Sequence, residues 1–302
     1  MYGLWSNTGV GTKTIVYLYD GFGLAQTKAD CACNAKRVKV DLIAAGFIPS
    51  KDKCEWEPSQ EMVWLGFHWD LKCGKLSVPK NKVEEILKCM QDLIQIKSRV
   101  KIRVLARFCC KSIALKPALG NVTQIMTRNC FAVINQRSDW DQYINLNTCS
   151  ACIAELFFWL NNLSLLSPLD LFISDCSTDF YIFSDASETG AAGYIVNSPY
   201  ICHKTWLDHE KVKSSTWREI KAIQLTLKSF KVLKECSVTL NTDNQNAVII
   251  VEKGSKVSEL QYLALDIFKF CKSNSIILHI QWVPREQNVQ ADYLSKIIDV
   301  DD

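Results

Sequence analysis

The spacing of apolar residues divides the C-terminal part of the chain into short segments and longer ones. Alternating or continuous apolar runs predict strands over residues 179–185, 191–196, 200–204, 238–243 and 276–283. Apolar positions at helical spacing predict helices over residues 215–234, 244–252, 259–273 and 288–296. The order predicts a five-stranded mixed sheet, in which the first three strands form an antiparallel meander and the last two join it in parallel through helical crossovers.

The N-terminal part has a different pattern. It predicts a strand at 14–19, a turn at 20–23, a helix at 29–45 and a hairpin of residues 62–69 with 76–78. Amphipathic helices follow at 83–94, 98–115 and 149–163. We therefore expect an α/β chain with an α+β N-terminal region, divided into residues 1–76, a helical region 77–165, a linker 166–177 and a domain 178–302.

Composition limits the class of protein. A chain of 302 residues with 48% hydrophobic content is long enough for two or three domains with packed cores. It has neither an apolar run of membrane-spanning length nor a leader-like N-terminus, which predicts an intracellular protein without a membrane partner and leaves cytoplasm or nucleus open. The 14 cysteines are scattered, so free thiols are expected.

Basic residues are concentrated in the predicted helical region. The net charge is only +3, but residues 75–137 contain thirteen Lys or Arg against three acids. Arg99, Arg103, Arg107 and Lys111 recur every four residues and would form one stripe on a helix. A stripe of one sign favours a surface that contacts phosphates. A solvated helix face is the alternative.

Four acidic residues are the candidate chemistry. Asp185 and Asp243 each end a predicted strand, Glu219 lies in the first turns of a predicted helix, and Asp292 lies on the last short helix. Strand ends and helices can bring such residues to one sheet edge. Carboxylates are ligands that Mg²⁺ prefers, and two such ions can activate water and stabilise a leaving oxygen on a phosphodiester.

Each acid also has an ordinary structural interpretation. Glu219 stands three residues after Thr216, as in a capping box. Asp243 could cap a helix, Asp185 could belong to a turn, and Asp292 could be an exposed helix charge. Short motifs match by chance often, so the order of all four carries more weight than any one of them.

The segment from about residue 180 to 295 resembles a ribonuclease H domain of a retrotransposon polyprotein. The matching parts are SDAS around Asp185, the return 190–196, WRE around Glu219, TDN around Asp243, and the late strand followed by VPREQN and Asp292. The resemblance implies that these four acids hold two Mg²⁺ or Mn²⁺ ions and that the RNA strand of an RNA–DNA hybrid is cleaved.

The loop before the last acid departs from that family. Many members carry a histidine there, whereas this chain reads PREQN. His279 is the nearest histidine, and we predict that it is a strand residue. Arg285 or Glu286 could take the place of the loop histidine, and Arg285 is also a candidate nucleic-acid contact.

The first half resembles the end of a reverse transcriptase palm followed by a thumb and connection. The segment Tyr17-Leu18-Tyr19-Asp20 matches the position of the family's Tyr-x-Asp-Asp, and WLGF at 64–67 resembles the primer-grip hairpin. Tyr19 replaces the first aspartate, and an uncharged phenol is a poor Mg²⁺ ligand. The upstream polymerase elements are also expected to be missing, so polymerisation by this chain is not expected.

Two functions follow as expectations. The first is a hybrid ribonuclease whose basic helices grip the duplex backbone, with binding that weakens steeply with salt. The second is a catalytically idle relic of a retroelement polyprotein that still binds nucleic acid. A nucleic-acid duplex is the expected partner in both, and the missing N-terminal part of the polyprotein is a further candidate.

Overall fold

A computed structural model describes residues 13–17, 20–166, 168–171 and 178–297. Contacts divide these residues into two compact units. The first comprises the described residues up to Pro79 with 168–171, and the second comprises 80–166 with 178–297. None of the described helices is long and apolar enough to cross a membrane.

The strands of the two units are numbered in chain order. They are β1 (Lys13–Tyr17), β2 (Asp20–Leu24), β3 (Glu61–Trp64), β4 (Phe67–Asp70), β5 (Lys75–Ser77), β6 (Val100–Lys101), β7 (Tyr143–Ile144), β8 (Leu169–Asp170), β9 (Phe180–Ala186), β10 (Gly190–Ile195), β11 (Ile201–Thr205), β12 (Ser237–Thr242) and β13 (Ile277–Trp282).

The α-helices are numbered in the same way. They are α1 (Lys28–Ala44), α2 (Lys80–Gln95), α3 (Ile102–Ile113), α4 (Lys116–Leu119), α5 (Val122–Ile125), α6 (Arg128–Asn135), α7 (Ser150–Asn162), α8 (Asp208–Lys211), α9 (Ser215–Ser229), α10 (Gln245–Lys253), α11 (Ser258–Ser273) and α12 (Val289–Ser295).

The first unit corrects two sequence predictions. The predicted turn at 20–23 is part of β2, which pairs antiparallel with β1. The predicted single strand at 62–69 is two strands, because Leu65 and Gly66 both adopt positive φ, 48° and 75°. Positive φ at both central residues matches a two-residue hairpin turn. Leucine gives no turn signal, so the sequence pattern did not reveal this one.

In the second unit, the predicted five-stranded mixed sheet with flanking helices is confirmed. The strand order is β11-β10-β9-β12-β13. The pairs β11–β10 and β10–β9 are antiparallel, whereas β9–β12 and β12–β13 are parallel. All predicted strand and helix positions in this region recur, except that α9 ends at Ser229 instead of residue 234.

The core of the sheet layer is apolar and tightly packed. Ile220, Ile223 and Leu227 of α9 are buried against Ile182 of β9 and Leu240 of β12. Their spacing places them on one helix face, which explains why α9 lies on the sheet. This packing fixes the first turns of α9 over the carboxyl end of β9.

Close approach of α9 to the sheet requires a glycine on β10. A Cβ atom added at Gly193 would lie 2.2 Å from the Oγ1 atom of Thr226 on α9. Thr226 is fully buried and has no room to withdraw. Any larger side chain at position 193 would push α9 off the sheet.

Helices from the 80–166 region pack on the same compact unit as the sheet. The Nε atom of Arg128 donates to the Lys253 carbonyl at 2.7 Å, and the Nε2 atom of Gln261 donates to the Ile125 carbonyl at 2.9 Å. Gln261 is buried and also accepts from the Ser255 amide at 2.9 Å. These contacts join α5 and α6 to the helices that flank the sheet.

The predicted four-part domain division remains a prediction. Much of the predicted linker, residues 167 and 172–177, lies outside the described residues. Within the linker range, β8 pairs with β5 of the first unit. The cysteines in the described residues are free thiols, as expected.

Candidate functional site

Three carboxylates converge at one edge of the five-stranded sheet. Asp185, Glu219 and Asp243 each offer an oxygen atom, and these oxygens all lie within 4.8 Å of one another. It is the only group of this kind among the described residues. Three of the four predicted acids therefore share one site.

Parallel pairing of β9 and β12 brings the two aspartates together. Asn241 of β12 is in register with Phe183 of β9, and Asp243 and Asp185 each lie two residues farther along. Because parallel strands present their carboxyl ends at the same edge, the two side chains meet there. The Asn241 side-chain amide also donates to the Ile182 carbonyl at 3.2 Å, which ties the strands together below the acids.

Glu219 is not a capping residue. The cap of α9 is Ser214, whose hydroxyl accepts from the Trp217 amide at 3.2 Å, and Glu219 lies in the next turn. The capping role considered for Asp243 is filled by Asn244, whose side chain accepts from the Ala247 amide at 3.0 Å. The structure therefore excludes a capping role for Glu219 and for Asp243.

The environment of Glu219 is unfavourable to a free carboxylate. Its exposed fraction is 8%, and its Oε2 atom has no hydrogen-bond partner among the described residues. Burial, followed by the nearby charges of Asp185 and Asp243, raises the pKa of Glu219 to about 9. A bound cation would satisfy the unpartnered oxygen and favour the ionised form.

Asp185 is held by two residues of the last helical segment. The Ser295 hydroxyl donates to its Oδ2 atom at 2.7 Å, and the Asn288 amide donates to its Oδ1 atom at 3.3 Å. Burial raises the pKa of Asp185, and the Ser295 hydrogen bond opposes that rise. Burial also raises the pKa of Asp243.

The sequence analysis did not identify Ser295 and Asn288 as site residues. Both are fully buried, although they are polar. A signal for them existed: Asn288, Asp292 and Ser295 follow the spacing i, i+4, i+7 and therefore share one helix face. That face looks toward the end of β9.

Asp292 lies beside this cluster but outside the group of three. Its Oδ1 atom accepts from Arg285 Nη2 at 2.8 Å, and its Oδ2 atom accepts from Lys296 Nζ at 2.5 Å. The hydrogen bond from Lys296 is the main cause that lowers the pKa of Asp292. In this structure the fourth predicted acid is therefore ionised, and two basic side chains of the protein balance its charge.

The loop before Asp292 contains no histidine, and the prediction for His279 is confirmed. His279 lies within β13 in register with Thr239 of β12. Residues Arg285–Gln287 form a single 3-10 turn. Of the two loop residues considered for the histidine's place, Arg285 is the one bonded to Asp292.

The four predicted basic residues do not form one free helical stripe. Arg99 precedes α3, which begins at Ile102 because Val100–Lys101 pair with β7, and its guanidinium lies 4.6 Å from the centre of the Tyr143 ring. Arg103 pairs with Asp141 at 3.2 Å, and Lys111 pairs with Glu85. Arg107 is exposed and has no ion pair among the described residues.

The residues resembling a polymerase motif lie in the first unit. Tyr17 ends β1 and is in register with Asp20, which begins β2. Tyr19 lies outside the described residues. Asp20 is exposed and belongs to no cluster of potential metal ligands among the described residues.

The donors at the sheet edge fit a hard divalent cation. All three close ligands are carboxylate oxygens, and one of them, Glu219 Oε2, lacks any partner among the described residues. Mg²⁺ takes oxygen ligands and needs only a few carboxylates because it retains several waters. The composition of the site therefore matches the predicted cofactor class.

Comparison with known proteins supports the resemblance for the C-terminal region. Residues 182–297 match the family model described as Reverse transcriptase-like, which confirms the predicted relationship for this segment. No curated protein sequence matches the chain.

Several solved structures are similar. They include LC11-RNase H1 in complex with RNA/DNA hybrid (17% identity, TM-score 0.34, 38% of this chain and 93% of that chain). RNase H1 from Halobacterium salinarum matches at 18% identity and TM-score 0.32, over 38% of this chain and 92% of that chain. Foamy viral protease-reverse transcriptase in complex with RNA/DNA hybrid matches at 11% identity and TM-score 0.44, over 89% of this chain but 35% of that chain.

Proposed function

We propose that the chain is a ribonuclease that hydrolyses the RNA strand of an RNA–DNA hybrid, using two Mg²⁺ or Mn²⁺ ions held by Asp185, Glu219, Asp243 and Asp292. The observation that carries the proposal is the group of three carboxylates within 4.8 Å, one of which has an unpartnered buried oxygen. Clustered acids without a cation are costly to bury, and a structural role would not require them.

The chain's own residues would orient the ligands. Ser295 and Asn288 fix both oxygens of Asp185, so that this carboxylate cannot rotate away from its neighbours. Such supporting hydrogen bonds commonly tune the affinity of a site for its ion. The bound ions would activate the attacking water and stabilise the leaving oxygen of the phosphodiester.

Glu219 would change its protonation state when the site fills. With its pKa raised to about 9, it keeps its proton at neutral pH in the absence of a cation. It must lose that proton to act as a ligand, so ion binding releases a proton to solvent. We expect ion affinity to rise with pH up to that value.

The nucleic-acid duplex would be gripped through its phosphates. Arg99 and Arg107 are the best candidates in the helical region, because Arg103 and Lys111 already pair with acids in the structure. Arg285 pairs with Asp292 but remains a candidate, because it lies beside the group of carboxylates and its side chain is 69% exposed. Contacts of this kind do not read sequence, and they weaken as salt increases. We further propose that the chain derives from a retroelement polyprotein, whose N-terminal part is a candidate partner.

A second candidate function is nucleic-acid binding without catalysis. Tyr19 favours this second function, because it stands where the polymerase motif has an aspartate. One of the two active centres that the sequence resembles is therefore altered. Polymerase activity is not proposed for the same reason.

A cleavage assay separates the two functions. The purified chain is incubated with a hybrid labelled on the RNA strand, with the same RNA alone and with a DNA duplex, in Mg²⁺, in Mn²⁺ and in EDTA. The proposal predicts cleavage of the RNA in the hybrid only, dependent on metal, with 3′-hydroxyl and 5′-phosphate ends. Binding of the hybrid without cleavage in either metal would leave the binding function and refute the ribonuclease.

A further inference from the structure

Two positive side chains from the chain itself surround Asp292. Arg285 donates to one carboxylate oxygen at 2.8 Å, and Lys296 donates to the other at 2.5 Å. The Asp292 side chain is 22% exposed, whereas those of Arg285 and Lys296 are 69% and 53% exposed. Asp292 is thus held near the site, and the Arg285 and Lys296 side chains both have room to move into solvent.

The influence of Arg285 extends beyond Asp292. Its positive charge lowers the pKa of Asp185, Asp243 and Glu219, although burial outweighs this and raises all three. The pKa of Arg285 is raised in return, first by its hydrogen bond to Asp292. Arg285 therefore acts as a counter-charge for the whole group of carboxylates.

Three of the four proposed ligands form one group, whereas the fourth already accepts hydrogen bonds from basic side chains of the protein. Asp185, Glu219 and Asp243 lie close enough to share an ion. Asp292 is outside that group, and both of its oxygens accept charged hydrogen bonds from the protein. A divalent ion that uses Asp292 must displace at least one of these bonds.

We propose that Arg285, assisted by Lys296, competes with a second divalent ion for Asp292, so that the protein without nucleic acid binds one ion well and a second only weakly. This inference rests on the proposed metal centre. Arg285 would thereby regulate how many ions the site holds, as a positioning residue. A guanidinium that pairs instead with a substrate phosphate would leave Asp292 free for the second ion.

The test counts Mn²⁺ ions on the full chain without nucleic acid, by electron paramagnetic resonance of free Mn²⁺ during titration at pH 7. The variants are Arg285→Gln, the double variant Arg285→Gln with Asp292→Asn, and Lys231→Gln as a control. Lys231 is exposed, and its replacement removes the same charge elsewhere. Circular dichroism checks that each variant is folded.

The wild type should bind one ion well and a second weakly. Arg285→Gln should tighten the second ion by roughly two- to fivefold, which is the range expected for removing one competing exposed ion pair. Adding Asp292→Asn should cancel that gain, and Lys231→Gln should leave both ions unchanged. If Arg285→Gln does not fold, Lys296→Gln replaces it, since it frees the other oxygen of Asp292.

Two results would overturn the inference in different ways. Two ions bound with similar affinity by the wild type, without change in Arg285→Gln, would show that Arg285 does not compete while the metal centre stands. Absence of any bound ion in the wild type and all variants would remove the metal centre itself, and the proposed function with it.

Discussion

Glu219→Gln should stabilise the protein in the absence of metal, although it removes a proposed metal ligand. In the unfolded chain Glu219 ionises near its ordinary pKa of 4.5, whereas in the folded protein burial and two neighbouring acids raise that pKa to about 9. At pH 7 the unfolded state has lost the proton and the folded state has kept it. Rising pH between these two values therefore favours unfolding.

The size of the effect follows from the pKa difference. The interval from 4.5 to pH 7 corresponds to a stability loss of about 3 kcal/mol, at about 1.36 kcal/mol per pH unit. Glutamine has nearly the same shape and does not ionise, so it avoids this loss. Because its amide must itself find a hydrogen-bond partner in the buried site, we expect a net gain of about 1 to 3 kcal/mol.

Urea unfolding in EDTA, followed by far-ultraviolet circular dichroism, measures the gain at pH 7 and at pH 5. The difference between Glu219→Gln and wild type should be large at pH 7. It should fall below about 1 kcal/mol at pH 5, because that pH lies only slightly above the ordinary pKa of 4.5 at which Glu219 ionises in the unfolded chain. With excess Mg²⁺ at pH 7 the wild type should be more stable than Glu219→Gln, because only the wild type retains the carboxylate ligand. A difference that does not change with pH, or a destabilised variant, would show that the folded protein does not hold Glu219 as a buried, protonated acid.

Three other substitutions test the support of the site and the packing of the second unit. Ser295→Ala removes the hydroxyl that holds Asp185, and we expect about a tenfold loss of Mg²⁺ affinity in a calorimetric titration with the fold unchanged. Gly193→Ala places a Cβ atom against Thr226 and should cost about 1 to 3 kcal/mol in urea unfolding, part of which a smaller residue at position 226 should restore. Gln261→Ala leaves a buried carbonyl and a backbone amide without partners, so it should cost about 2 kcal/mol, whereas replacement of an exposed glutamine such as Gln290 should change stability little.

Much of the sheet layer could be predicted because its local signals agree. Each strand has an apolar run, and each helix has apolar residues at helical spacing. Gly193 permits the close approach of α9 to the sheet, and Ser214 caps that helix. The positions of Asp185 and Asp243 followed from strand ends alone. Such regions can be predicted from sequence because the local pattern and the tertiary packing favour the same structure.

The remaining features depend on contacts between residues far apart in the chain. The pairing of Arg103 with Asp141 and of Lys111 with Glu85 compensates a stripe that looks uncompensated in sequence. Periodicity describes one helix and says nothing about charges that neighbouring elements supply. A basic stripe therefore predicted more free charge than the folded protein presents.

Support for Asp185 was missed for a related reason. Ser295 lies 110 residues away and contributes through a single hydroxyl, which has no distinctive pattern of its own. The pairing of Arg285 and Lys296 with Asp292 was equally hidden, since an arginine and a lysine near an acid on a short helix usually indicate an ordinary exposed ion pair. Only the folded arrangement shows that this pair lies beside three other carboxylates.

The most direct test of the proposed ribonuclease is cleavage of an RNA–DNA hybrid by matched variants of the full chain. Asp185→Asn changes one charge at the centre of the carboxylate group, whereas Asp208→Asn makes the same change on a side chain that is 98% exposed and paired only with Lys211 in the described structure. We predict that wild type and Asp208→Asn cleave the RNA strand in Mg²⁺ at similar rates and that Asp185→Asn, folded normally, does not cleave it. Equal cleavage by all three proteins would show that the carboxylate group is not the active site, and cleavage by none of them in Mg²⁺ or Mn²⁺ would refute the ribonuclease.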